Sequence, residues 1–469
     1  MKNLCKILLV FTTMFYITSC SESFLELQPQ QSISDDSFLL TFQDFESAIV
    51  GAHDQMQNTN WFGRYSLLVP DVMGEDVKQN ASANRAKEWA EYNGNETDFV
   101  PENIWRELYE AINITNRIIN SPFEPLAEVQ ADYNNIIGQA HAIRALAHFN
   151  LVNHFGQHYT FSSGASHPGV PIVLEFDVTS KPTRNTVAEV YQQVISDFNT
   201  AIGLMTIDPS NAGFFSKEAA QALLSRVYLY MEDYSNAESM ASTVINSGKF
   251  SLVSNANYAT QFLDGNSSEA ILEINYNLAD NPGSDHLGGM YKETGYGDYL
   301  PAQDLLDLMT DGDVRKTMFL PDANLQGIYA SSRVNKYPSS GSNIATDNIP
   351  VIRLSEVYLN RAEARAKSGS NETGAQDDLN MIRQRGLASA PDVTATGSAL
   401  IDEILIERRI ELCFEGHRIY DATRNQQDIV RVNCTSTVCT ISYPNDRFIL
   451  PIPDGETNSN PNIQQNAGY

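Results

Sequence analysis

Apolar residues recur with the period of an α-helix along most of this chain, and several stretches indicate pairs of helices. The clearest pair covers residues 219–252, where Leu224, Tyr228 and Ala237 lie on either side of a turn at 233–234. A period of about 34 residues predicts helix–turn–helix units in which small residues lie where the two helices touch. Each unit must stack on a neighbour, because it cannot bury its own apolar face.

Two further segments follow the same pattern. Residues 352–386 combine a helix rich in small residues, a turn at 368–371 and a returning apolar face, and residues 139–155 pair with residues 187–204 across an insertion. These spacings are typical of tetratricopeptide repeats. The chain is therefore predicted to be mostly α, a scaffold of tetratricopeptide-type helix pairs with long irregular loop insertions and a few short β-hairpins.

Two long insertions differ from this scaffold. Residues 61–99 and 275–342 are rich in Gly, Asn, Ser and aromatic residues and show no sustained period. Loops of this length in a compact domain are usually functional or disordered, and the aromatic content argues against disorder. We expect the insertions to pack together over the helices and to hold the ligand site.

The beginning of the chain indicates export. Lys2 and Lys6 precede an apolar run at 7–17, and the small pair after it is followed by Cys20. This layout predicts a lipoprotein signal peptide, cleaved after residue 19, with Cys20 acylated as the first mature residue. The run is shorter than the roughly 20 residues that span a bilayer. An ordinary signal peptide with an incidental cysteine is the alternative.

The excess of acidic residues argues against two classes of binding partner, nucleic acids and anionic lipids. The chain has 31 Lys and Arg against 58 Asp and Glu, a net charge of −27. Nucleic acid is not an expected partner, because its binding depends on clustered cations. Adhesion to anionic lipid is disfavoured for the same reason, so the acyl chains on Cys20 would hold the protein at the membrane.

The remaining cysteines indicate one short cross-link. Cys434 and Cys439 flank a polar tetrapeptide between β-prone residues, as a hairpin would, and an exported protein can keep such a disulfide. Cys413 lies in an apolar run and is predicted to be a buried free thiol.

One acidic series could suggest catalysis. Glu407, Glu411 and Glu415 recur every four residues, so they are expected on one face of a helix that ends at Gly416. A glycosidase pair must flank a bond from two sides, whereas these carboxylates would point the same way. We therefore expect structural ion pairs, with neutralisation by Arg408, Arg409 and Arg418.

No other pattern favours bond-making chemistry. His154 and His158 have the i, i+4 spacing of a zinc helix, but Gly156 lies between them and the glutamate of the metalloprotease pattern is missing. The chain shows no nucleophile elbow, phosphate-cradling loop or convincing dinucleotide fingerprint. No catalytic residue, metal ligand or cofactor is predicted.

Three strings then point to a known family. Residues 351–364 (VIRLSEVYLNRAEA), 407–421 (ERRIELCFEGHRIYD) and 460–469 (NPNIQQNAGY) resemble the fourth repeat, the most recognisable string and the usual ending of SusD/RagB-type outer-membrane lipoproteins. With Cys20, the resemblance covers nearly the whole mature chain, and it implies one SusD-like domain over residues 20–469.

The resemblance implies a surface-exposed, non-catalytic lipoprotein that captures glycans and presents them to a SusC-like TonB-dependent transporter in the outer membrane. Some members of the family take peptides instead, and a surface glycan hydrolase is a further alternative. The family carries acidic residues after the lipid cysteine as a surface-export mark, and here Ser21-Glu22-Ser23 supplies one acid.

The family places its glycan site in loops of the two insertions. Sugar rings have flat C–H faces, so aromatic planes stack on them while Asn, Asp, Arg or Gln hydrogen-bond their hydroxyls. The alternative is that the aromatic side chains only pin the loops to the helices, as we expect for Trp105, which has helical apolar spacing. The candidate ligand-binding residues are Asn80, Arg85, Trp89, Tyr92 and Asn93 in the first insertion and Tyr291, Tyr296 and Tyr299 in the second.

Overall fold

Helices dominate the architecture. The computed structural model describes residues 39–177, 179–263, 265–339 and 345–469, so the predicted signal peptide and Cys20 lie outside the described residues. No helix in these ranges has the length and apolar character needed to cross a membrane. The helices are α1 (Phe42–Met56), α2 (Tyr65–Met73), α3 (Lys87–Ala90), α4 (Phe99–Ile119), α5 (Gln130–Phe155), α6 (Val187–Leu204), α7 (Lys217–Tyr230), α8 (Tyr234–Asn246), α9 (Gln303–Asp307), α10 (Leu354–Ser368), α11 (Glu372–Gly386), α12 (Gly397–Glu411), α13 (Arg418–Arg424) and α14 (Asp454–Ser459).

Polar caps determine where the scaffold helices begin. Thr186 and Glu189 form a capping box at the start of α6, each side chain accepting from the backbone N–H of the other. Ser216 and Asp233 accept backbone N–H groups at the starts of α7 and α8. Gly369, with φ of +67°, ends α10 in the left-handed conformation that glycine adopts without strain.

The three predicted helix pairs are confirmed. They are α5 with α6, α7 with α8, and α10 with α11, and the members of each pair pack together. Fully buried alanines lie in these helices, among them Ala222, Ala237, Ala362 and Ala375. Helix α5 begins at Gln130, earlier than the apolar pattern predicts. The mostly α scaffold of tetratricopeptide-type pairs is thus the observed architecture.

Within the described ranges the strands form four antiparallel pairs, and two of these pairs are not hairpins. The short β4–β5 and β7–β8 pairs fit the predicted hairpins, whereas β1–β3 and β2–β6 join segments far apart in the sequence. The strands are β1 (Val77–Gln79), β2 (Ala270–Ile274), β3 (Tyr299–Pro301), β4 (Phe319–Pro321), β5 (Ser332–Val334), β6 (Ile349–Arg353), β7 (Ile429–Val430) and β8 (Thr440–Ile441).

The first insertion is more regular and more deeply buried than its composition suggests. It contains α2, β1 and α3, and every residue of α2 is buried. Its apolar positions Leu67, Leu68, Val69 and Val72 fill the main core together with residues from α4 and α5. This burial supplies the stabilisation that a segment without an obvious period would otherwise lack.

Candidate functional site

The β1–β3 pair joins the two insertions. Gln79 lies opposite Tyr299 in this pair. Immediately beyond it, the Asn80 backbone N–H donates to the Asp298 carbonyl at 2.8 Å, and the Asn80 side-chain amide donates to the Gly297 carbonyl at 3.0 Å. Two segments more than two hundred residues apart in the chain therefore form one surface.

Arg85 is held on this surface by the second insertion. Its backbone N–H and its guanidinium both donate to Asp298 Oδ2, at 3.1 and 3.2 Å. The guanidinium lies 3.1 Å from the centroid of the Tyr296 ring. The Tyr299 hydroxyl donates to the Arg85 carbonyl at 2.6 Å. The Arg85 side chain is thus fixed by a carboxylate and a ring face, and its backbone is held by Asp298 and Tyr299.

A second chain of contacts extends the surface towards α4. Tyr296 Oη donates to Asp285 Oδ1 at 3.0 Å, and Arg64 Nη1 donates to the same oxygen at 2.7 Å. The Arg64 guanidinium lies 4.2 Å from the Tyr65 ring centroid, and Tyr65 meets Phe99 edge to face at 5.5 Å. Burial raises the pKa of Tyr65, so its hydroxyl stays neutral near pH 7.

These groups combine an exposed aromatic ring with polar groups that can reach a ligand. Phe99 is 52% exposed, the Asp285 side chain 50% and the Arg85 side chain 29%. A carboxylate accepts hydrogen bonds from hydroxyls, a guanidinium donates to them, and an exposed ring offers an apolar face. We refer to Arg64, Tyr65, Arg85, Phe99, Asp285 and Tyr296 as the insertion junction.

Three of the predicted ligand-binding residues have buried side chains in this structure, and ligand contact by them stays a prediction. Trp89 is 2% exposed, and its ring packs against Gly94, where an added Cβ would come within 2.6 Å of it. Tyr291 is fully buried, with its ring 5.1 Å from that of Phe414. Tyr299 is also fully buried and positions Arg85. These side chains pin the insertions, which is the alternative that the sequence left open.

The other five predicted residues divide between the junction and its surroundings. Arg85 and Tyr296 lie in the junction, and Asn80 ties the two insertions beside it. Tyr92 is half-buried and donates to the Met73 carbonyl at 2.5 Å, whereas Asn93 is exposed. Ligand contact by these residues stays a prediction.

The sequence reasoning missed Arg64, Asp285 and Phe99. A signal for Phe99 is present in the pattern. The buried stripe of α4 includes Val100, Ile104 and Leu108, and Phe99 lies outside it. A large aromatic residue out of phase with the core face of its helix is expected to be exposed. Arg64 and Asp285 carry no comparable signal, because only the fold brings them together.

The C-terminal hairpin, formed by β7 and β8 and the loop between them, contacts and stabilises the first insertion. Cys434 and Cys439 form the predicted disulfide, with their Cα atoms 5.7 Å apart, and Cys413 is a buried free thiol as expected. Within the closed loop, the backbone N–H of Thr437 donates to Glu91 at 2.7 Å. Arg431 donates to four backbone carbonyls of the same insertion. The first insertion, which contains Arg85, is thus anchored to Arg431 and to the disulfide loop.

Ser66 and His154 form a serine–histidine contact of the kind found in catalytic sites, but there is no space beside it for a substrate. Ser66 Oγ lies 2.6 Å from His154 Nε2, and Tyr420 Oη lies 3.0 Å from His154 Nδ1. Burial lowers the pKa of His154 to about 3, and the cavity beside the pair holds about 30 Å³, enough for roughly one water molecule. The trio ties α2, α5 and α13 together, with no room for a substrate.

The acidic series forms the expected ion pairs, but with other partners. Helix α12 ends at Glu411, so Glu415 lies beyond the helix, after Phe414 with φ of +63°. The predicted partners Arg408, Arg409 and Arg418 instead pair with Asp421, Asp76 and Glu75. The actual partners of Glu407, Glu411 and Glu415 lie outside α12: they are Arg315, Lys336, Arg353, Arg383 and Arg385. Among the described residues, no group of three or more His, Cys, Asp or Glu side chains is placed to hold a metal ion.

Comparison with known proteins identifies the fold and the family. Residues 23–229 match the family model described as "Starch-binding associating with outer membrane", and residues 317–469 match the model of the SusD family. A solved structure described as a putative sugar binding protein from Bacteroides vulgatus is 32% identical and has a TM-score of 0.85. The match covers 92% of this chain and 99% of that one.

Two further relatives extend the match over the whole length. A SusD superfamily protein from Bacteroides thetaiotaomicron is 31% identical over 91% of this chain and all of its own, with a TM-score of 0.83. The SusD-like protein P38 of Formosa agariphila is 25% identical over 100% of this chain and 99% of its own. The chain belongs to the SusD/RagB family.

Proposed function

We propose that this protein is an outer-membrane lipoprotein that binds glycans at the insertion junction and delivers them to a SusC-like TonB-dependent transporter. The membership of a family with starch-binding and sugar-binding members supports the ligand class. The leader and Cys20 support the anchor, and the acidic surface favours neutral ligands over anionic ones.

The insertion junction is the observation that carries the proposal. Phe99 is the exposed large ring of this surface, and the contacts through Tyr65, Arg64 and Tyr296 link it to an acceptor, Asp285, and a donor, Arg85. Arg85 is held by Asp298 and by the Tyr296 ring before any ligand arrives. Such preorganisation reduces the entropic cost of binding.

The test compares two exposed phenylalanines. Phe99→Ala removes the ring of the junction, whereas Phe161→Ala removes a 37% exposed ring elsewhere on the surface. We expect Phe99→Ala to weaken starch-oligosaccharide binding by about fivefold, the size of one lost aromatic contact, and Phe161→Ala to leave it unchanged. Calorimetric titration on a panel of glycans measures both, and thermal unfolding confirms that each variant is folded.

Other ligand classes are outcomes of the same panel. Equal affinity of wild type and Phe99→Ala for every bound glycan contradicts the proposed site. Affinity for peptides with none for any glycan would favour the peptide-binding alternative. Release of shortened products at turnover rates would establish a hydrolase.

The anchor and the transporter need separate experiments. Cys20→Ala is expected to release the protein from the membrane fraction and to abolish labelling with palmitate, because the acyl chains are the proposed attachment. Co-purification of a TonB-dependent transporter with the wild-type protein tests the partnership. Membrane retention of an unlabelled Cys20→Ala protein would contradict lipid anchoring.

A further inference from the structure

A second cavity, which shares no lining residue with the insertion junction, lies between α4, α14 and the residues Pro171, Val173, Asp177, Ser180 and Pro182. Its volume is about 480 Å³, within the range of roughly 300 to 1,000 Å³ that small-molecule sites occupy. One face of α4 supplies a wall, through residues three, four and seven positions apart, while Pro453 and Gly455 lie on the opposite side.

The α4 wall is aromatic. Trp105 and Tyr109 both line the cavity, with their ring centroids 4.9 Å apart. Their polar atoms already have partners, since Trp105 Nε1 donates to Glu456 at 3.3 Å and Tyr109 Oη donates to the Pro171 carbonyl at 2.8 Å. Trp105 is only 6% exposed and Tyr109 is half-buried, so the two rings offer the cavity the small part of their apolar surface that the core leaves open.

The remaining lining is strongly acidic. Arg106 is the single cation among the lining residues, and it pairs with Glu107 at 2.8 Å. Within the described part of the chain, Glu102 and Glu110 have no ion-pair partner. Aromatic faces attract cations, and carboxylates accept hydrogen bonds from ammonium groups. The lining carboxylates are those of Glu102, Glu110, Asp177 and Glu456.

We propose that this cavity binds a small ligand that carries a protonated amine on a body of about one sugar ring, such as an amino sugar. The aromatic wall takes the body, and Glu102 and Glu456 receive the ammonium group. The net charge of −27 raises the local concentration of cations and favours the same ligand. This site shares no lining residue with the glycan site proposed at the insertion junction.

The probes are glucosamine and N-acetylglucosamine, which share a ring and differ in the charge of one nitrogen. Titration of the full-length protein at pH 7 is expected to show glucosamine binding about tenfold tighter, and the difference is expected to shrink in 0.5 M salt. Glu102→Gln and Glu456→Gln each remove one charge and should weaken glucosamine binding by about fivefold. Glu124→Gln, at an exposed acid outside the cavity, is the matched control.

Occlusion tests the location. The Cβ of a residue at position 455 would face Glu102 Oε1 at 3.8 Å and nothing nearer, so Gly455→Trp can fill the cavity without a backbone clash. Gly203→Trp is the control, because a Cβ at this exposed helical glycine meets no atom within 4 Å.

We expect Gly455→Trp to abolish glucosamine binding, and Gly203→Trp and Arg85→Ala to keep it. Equal affinity for the two sugars, no binding of glucosamine at millimolar concentration, or full binding by Gly455→Trp would each overturn the proposal. Loss of binding in Arg85→Ala would also overturn it, because it would place the amine at the insertion junction.

Discussion

The buried carboxylate of Glu411 gives a direct test of the internal ion cluster. Glu411 is the last residue of α12 and is fully buried. Its Oε1 accepts hydrogen bonds from Arg353 Nη1 at 2.5 Å and from Arg385 Nη2 at 2.6 Å. Its Oε2 accepts from Arg315 Nη1 at 3.2 Å. Burial alone would raise the pKa of Glu411, but the three guanidinium groups outweigh it and hold the pKa far below the usual range.

The magnitude follows from what Glu411→Gln leaves behind. Removing one partner of a buried ion pair costs about 3 to 5 kcal/mol, because an uncompensated charge stays buried. Arg353 keeps Glu415 and Arg385 keeps Glu269, so we expect the lower end, about 3 kcal/mol. Arginine donors face both oxygens of Glu411, so the side-chain NH₂ of a glutamine would meet a donor in either orientation of the amide, Arg315 in one of them.

Urea unfolding followed by circular dichroism measures the loss in unfolding free energy. Asp311→Asn is the control, because Asp311 is fully exposed and pairs only with Lys316 at the surface; we expect no measurable change. A loss below about 1 kcal/mol in Glu411→Gln would refute the reasoning, since it would mean that the arginines are compensated without this carboxylate.

Three further predictions concern stability. Trp89→Ala should lower the unfolding free energy by about 3 kcal/mol, because it removes a buried ring; unchanged thermal unfolding with weaker glycan binding would restore Trp89 as a ligand contact. Acidification should destabilise the protein between pH 6.5 and about 4, because burial lowers the pKa of His53, His148 and His154 to about 4, 4 and 3. The unfolded chain then binds more protons than the folded one, and equal urea unfolding midpoints at pH 6.5 and pH 4 would contradict the assignment. Reduction of Cys434–Cys439, five positions apart, should cost about 2 kcal/mol, and equal urea midpoints with and without reductant would count against it.

The helical scaffold was predictable because its information is local. Small residues at helical spacing and a turn at 368–371 define the α10–α11 pair without any distant contact. The disulfide is equally local, since its cysteines are five positions apart. In each case, neighbouring residues in the sequence are also the partners in space.

The candidate site was predictable only as a region. Trp89, Tyr291 and Tyr299 lie among glycines and polar residues, a composition that suggests exposed loops, yet all three are buried. Tyr299 lies in the pairing of β1 with β3, and the Tyr291 ring packs against Phe414; both are contacts between distant segments that no local pattern encodes. The predicted partners of the acidic series were wrong for the same reason. The spacing along α12 suggested arginines close in sequence, whereas the fold supplies Arg315 and Arg353.

The ion cluster contacts the second insertion and the C-terminal hairpin contacts the first, so both act on the insertion junction. Arg315 and Lys336, which flank β4 and β5 in the second insertion, are tied to the region of Glu411 and Glu415. The first insertion is tied to Arg431 and to the disulfide loop. Both walls of the insertion junction are therefore fixed to residues 411–439 of the chain, and their relative position depends on that segment. It follows that Glu411→Gln, although it lies outside the junction, should weaken glycan binding whenever the second insertion loosens, because a mobile wall must be ordered again on binding.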